Sequence, residues 1–77
     1  MFPIYRKYVG RNVWFKILNQ NEFIEINQLG SKYLIHHIKA QQYPEILLIQ
    51  DMINKMEDRW KDADSEYIDG LLKANNY

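Results

Sequence analysis

The sequence predicts a small two-layer α+β domain with chain order ββαβαα. The expected sheet is antiparallel and three-stranded, of order 2-1-3, with helices on one face. Three observations predict it. Two aromatic and β-branched segments flank Gly10-Arg11 near the N-terminus. Later segments place apolar residues at helical spacing behind recognisable start signals. The chain has 77 residues and no cysteine, so it forms one domain, residues 1–77, that disulfides do not staple.

The elements follow in order. Ile4–Val9 and Val13–Leu18 read as strands, with Gly10 supplying the positive φ of a two-residue turn. That turn pairs Ile4 with Ile17, Tyr5 with Lys16, Arg6 with Phe15, Lys7 with Trp14 and Tyr8 with Val13. One face then holds Ile4, Tyr8, Val13, Phe15 and Ile17, with Arg6 as an intruder. The other holds Tyr5, Lys7, Trp14 and Lys16. Asn19-Gln20-Asn21-Glu22 has capping-box spacing. Phe23, Ile26 and Leu29 follow at three-residue steps, and Gly30 sits where a left-handed C-cap belongs, so residues 20–29 read as a helix. The alternation Phe23-Ile24-Glu25-Ile26 is the competing strand signal.

Lys32–Ala40 is β-rich and forms the third strand. Tyr43-Pro44-Glu45 opens a helix, with Pro at the first turn and an acid beside the helix N-terminus. Its expected apolar stripe runs through Ile46, Ile49, Met52, Ile53, Met56 and Trp60, with Leu47 on the solvent side. Asp62-Ala63-Asp64-Ser65 breaks the pattern. A last helix, Glu66–Ala74, turns Tyr67, Ile68, Leu71 and Leu72 inward and leaves Gly70 on its polar face.

Charge is unevenly distributed along the chain. Residues 1–40 carry six bases and two acids, a surplus of +4; residues 41–77 carry four bases and eight acids, a surplus of −4. The totals cancel at ten each. A split of this kind marks either a surface for a charged partner or two surfaces that neutralise each other. Ten Ile, six Tyr, three Phe and two Trp supply a core; the aromatic share reads first as large side chains compensating for a small core, with exposed contact surface as the alternative. Ile, Lys, Asn and Tyr are common and Thr is absent, a bias that fits an AT-rich genome.

Catalytic chemistry finds little to work with. His36 and His37 are neighbours on a strand and point to opposite faces, so they cannot chelate one metal together. Ser31 and Ser65 stand outside any nucleophile elbow, and the three glycines are isolated, so no phosphate-cradling loop forms. No catalytic, metal or cofactor site is expected. The longest apolar run, Ile46–Ile49, has four residues, so no membrane segment is expected. With no apolar leader after Met1 and no cysteine, the expected location is the cytoplasm.

The face Tyr5, Lys7, Trp14, Lys16 is the candidate partner-binding site. Two readings use it. The first is a non-enzymatic protein-interaction or homo-oligomerising module that meets a protein partner or a second copy. The second is nucleic-acid binding, with the rings stacking bases and the lysines holding phosphates. A net charge of zero argues against the second.

Overall fold

The structure is a computed structural model and describes residues 2–77. Five strands form one antiparallel sheet: β1 (Ile4–Tyr8), β2 (Val13–Asn19), β3 (Glu22–Leu29), β4 (Lys32–Lys39) and β5 (Trp60–Asp62). Their order across the sheet is β4-β3-β2-β1-β5. Two helices, α1 (Tyr43–Asn54) and α2 (Ser65–Ala74), complete the domain. The first four strands are a meander of hairpins. The fifth returns after α1 and adds to the free edge of β1.

The expected chain order ββαβαα is therefore corrected to ββββαβα and the three-stranded sheet of order 2-1-3 to five strands, and the helices lie on both faces rather than one. The first hairpin has the register its turn dictates: Ile4 opposite Ile17, Tyr5 opposite Lys16, Arg6 opposite Phe15 and Lys7 opposite Trp14. The turn itself differs from the expected Gly10-Arg11 pair: Arg11 N–H donates to Tyr8 O at 3.3 Å, which puts Val9 and Gly10 at its centre, and Gly10 supplies the positive φ, +79°.

The segment read as a helix over residues 20–29 is β3. Its physical reason is burial on both faces. Phe23 points into the core under α1, while Ile24 and Ile26 point into the core under α2. A strand buried on both sides carries apolar residues in both phases, which blurs the two-residue period. The polar quartet before it makes a turn instead of a helix cap. Asn19 Oδ1 accepts from the backbone N–H of Asn21 at 2.8 Å, and Asn19 Nδ2 donates to Glu22 Oε1 at 3.0 Å. Gly30, with φ +62°, turns β3 into β4.

The stripe that was to carry α1 as far as Trp60 stops at Asn54. Lys55 takes a left-handed conformation, φ 51°, and its N–H bonds back to the last helical turn. A single 3₁₀ turn, Met56–Asp58, leads into β5. Met56 is consequently exposed, and Trp60 is buried from a strand rather than a helix. At α2, Asp64 caps the N-terminus by accepting from Glu66 N–H at 2.9 Å. Ile68 and Leu72 face inward as expected, but Tyr67 stays half exposed.

Two apolar cores result. Phe15, Ile17, Phe23, Ile49, Met52 and Trp60 fill the one under α1. Trp14, Ile24, Ile26, Ile68 and Leu72 fill the one under α2. Arg6, the intruder on the α1 side, has a structural role there. Its Nε donates to Met52 O at 2.8 Å and its Nη2 to Ile53 O at 3.1 Å. These are carbonyls in the last turn of α1, which has no basic residue of its own. Arg6 thus satisfies the helix C-terminus from the sheet, and its Nη1 pairs with Asp62 on β5 at 3.0 Å.

Candidate interaction surfaces

Strand alternation brings Tyr5, Lys7, Trp14 and Lys16 together on one face, and the structure places α2 over that face. Trp14 is 7% exposed, with the Tyr67 ring tilted against it at 5.6 Å. Lys7 Nζ lies 5.7 Å from the Trp14 ring centre and donates to Arg11 O at 2.6 Å, tying down the hairpin turn. Asp69 of α2 takes the other two residues. Tyr5 Oη donates to Asp69 Oδ2 at 2.8 Å, and Lys16 Nζ donates to Asp69 Oδ1 at 2.8 Å.

This cluster shifts its own titrations. The hydrogen bond to Asp69 holds the Lys16 ammonium above the ordinary lysine value. Partial burial and the hydrogen bond to Asp69 raise the Tyr5 phenol. Burial pushes Asp69 upward, but the hydrogen bonds from Lys16 and Tyr5 outweigh it and hold the carboxyl below its usual value. The charge split is partly resolved here and at Arg6–Asp62: bases from the first half of the chain neutralise acids from the second. In this arrangement the rings and ammonium groups of the face are engaged with α2 and the hairpin turn.

Two further features emerge from the fold. The first is an open cleft of about 310 Å³ on the α1 side, with Tyr8, Phe15 and Trp60 among its walls and Arg11, Glu25 and Asn27 as polar members. Trp60 Nε1 is buried without a hydrogen-bond partner among the described residues. The second is the outer edge of β4. All eight residues of β4 pair with β3 in an unbroken register, from Glu22 opposite Lys39 to Leu29 opposite Lys32. Nothing among the described residues pairs with the other side. The opposite edge of the sheet, β5, has only three residues.

The direction of the β4 backbone groups can be assigned. Ala40 N–H donates to Asn21 O, and these two continue the β3–β4 register. Even-numbered residues of β4 therefore turn their N–H and C=O toward β3. Tyr33, Ile35, His37 and Lys39 turn theirs outward. The histidines sit on opposite faces, His36 opposite Glu25 and His37 opposite Ile24. His37 Nε2 contacts Glu22 Oε2. The hydrogen bonds from Asn19 and His37 hold the Glu22 carboxyl below its usual value. No group of three or more His, Asp or Glu residues among those described is placed to hold a metal.

Compared with known proteins, the chain matches no family model, no curated protein and no solved structure. Among the described residues no helix is long and apolar enough to cross a membrane.

Proposed function

We propose that this protein is a non-enzymatic interaction module that accepts a strand from another polypeptide along its open β4 edge. One observation carries the reading: eight residues of regular, unbulged strand end the sheet with their outer backbone groups unpaired among the described residues. Such an edge is a template for strand addition, and proteins that do not use one usually shorten it, bulge it or cover it. The β5 edge is shortened in this way and the β4 edge is not. Leu34 adds an apolar contact beside it, 45% exposed. A cytoplasmic location belongs to the same proposal, since a chain without cysteine asks nothing of an oxidising compartment.

Amide exchange tests it. In dilute purified protein the outward amides of Tyr33, Ile35, His37 and Lys39 exchange quickly. In cell extract, or in concentrated pure protein, isotope-labelled chain shows those four amides slowed together at least tenfold. Equal rates in dilute, concentrated and extract samples overturn the reading.

A further inference from the structure

We infer that the strand accepted by β4 is the β4 of a second copy, paired antiparallel about a two-fold axis that passes through His36. The inference rests on the edge-pairing reading above and names its partner. It follows from the positions of the outward groups. Tyr33, Ile35, His37 and Lys39 carry them, and a hydrogen-bonded antiparallel pair must join two such residues. Only a two-fold centred on residue 36 maps this set onto itself. Tyr33 then pairs with Lys39 of the second copy, and Ile35 with its His37. Every outward N–H and C=O of these four residues is satisfied. A centre one position away, at Ile35 or His37, leaves outward groups on at least one of the four without a partner from the set.

The side chains agree with this register. On the α1 face, Leu34 meets Ile38 of the second copy, twice by symmetry, which covers the exposed Leu34. On the α2 face, Lys39 lies against the Tyr33 ring of the second copy. No formal charge of β4 faces a like charge, because Lys32 falls opposite Ala40 and Lys39 opposite Tyr33. The pairing is also closed. The ten-stranded sheet it makes ends in β5 on both sides, and that three-residue edge, with Lys61 exposed, offers little for further growth. The expected species is a dimer rather than a filament.

A cysteine scan reads the register directly, since the chain has no cysteine of its own. The two copies of His36 form a non-hydrogen-bonded pair with Cα atoms about 4.5 Å apart, within disulfide reach. The two copies of Leu34 sit about 13 Å apart, four residues of strand offset. Under mild oxidation, His36→Cys should convert largely to a covalent dimer at a rate at least tenfold above Leu34→Cys, with both variants showing wild-type circular dichroism. Light scattering on the wild type, which needs no variant to fold, should show the mass rise from 9.4 kDa toward twice that with concentration. His37→Pro, which removes an outward N–H without touching the β3 ladder, should abolish the rise.

A wild type that stays monomeric at every concentration overturns the inference, and so does crosslinking of Leu34→Cys as fast as His36→Cys. The two readings fail differently. Monomeric pure protein with outward amides slowed in extract removes self-pairing and keeps the interaction module. Monomeric pure protein with fast amides in both samples removes both.

Discussion

Asp69 shows how a single side chain settles the fate of a whole face. It accepts from Tyr5 and from Lys16, both at 2.8 Å, and so ties α2 to β1 and β2. Its carboxyl lies below its unfolded value, so it contributes stability that is present above that value and lost as pH falls through the folded one. Lys16 lies above its unfolded value, so its contribution is present below that value and lost as pH rises through the folded one. The cluster is therefore fully stabilising between the carboxylate and the lysine ranges. Asp69 is about half exposed, so screening by solvent limits the gain to about 0.5–1 kcal/mol. Asp69→Asn should lower the unfolding free energy at pH 7 by that amount, read as a lower urea midpoint at unchanged slope. The gap from wild type should narrow as pH falls below the ordinary carboxylate range and through the lowered folded value, where the wild-type carboxyl takes up its proton. Urea titrations at pH 2.5 and 7 check it, and an unchanged gap at pH 2.5 contradicts the assignment.

At the scale of elements, backbone handedness makes two opposite expectations from one cause. Gly30 turns β3 into β4 with φ +62°, and nothing lies within 4 Å of where a Cβ would stand. Gly30→Ala therefore adds only left-handed backbone strain, a loss of about 1 kcal/mol. Glu57 holds φ 62° between α1 and β5 with a Cβ already present. Glu57→Gly should recover about 0.5–1 kcal/mol, less what its exposed contact with Arg59 supplies. Thermal unfolding of the two variants should move in opposite directions; a shared direction removes handedness as the cause. The same turns explain what could be read in advance. The first hairpin was legible because Gly10 and the alternation around it point to one register. The β3 segment was not, because Asn19 and Glu22 serve a turn with the spacing of a helix cap, and because two-sided burial puts Phe23, Ile24 and Ile26 on both faces. Trp60 fell in phase with the α1 stripe, and a three-residue strand is too short to display a period of its own. The cluster Tyr5, Lys7, Trp14, Lys16 could be assembled from the hairpin, but its cover could not. The Lys16–Asp69 contact joins residues 53 apart. The open β4 edge depends on strand order, which follows only once β3 and β5 are known to be strands.

At the scale of the molecule, one sheet separates two apolar cores and each core contains one tryptophan, Trp60 under α1 and Trp14 under α2. The cores share β2 and β3, where neighbouring residues serve opposite sides: Trp14 beside Phe15, Phe23 beside Ile24. Neither layer can lose its packing without exposing the strands that support the other, so the domain should unfold as one cooperative unit. Ile68 is fully buried in the α2 core, and Ile68→Ala should cost about 2–5 kcal/mol through lost burial and the cavity left behind. Trp14→Phe and Trp60→Phe each leave one fluorescent reporter, and Ile68→Ala in either background should shift the urea midpoint equally. Coincident curves from the two reporters mean that α2 and α1 are held by the same sheet as a single structure. A Trp14 signal that unfolds first while Trp60 keeps its wild-type midpoint would show that α2 detaches alone, and the face it covers would then open without global unfolding.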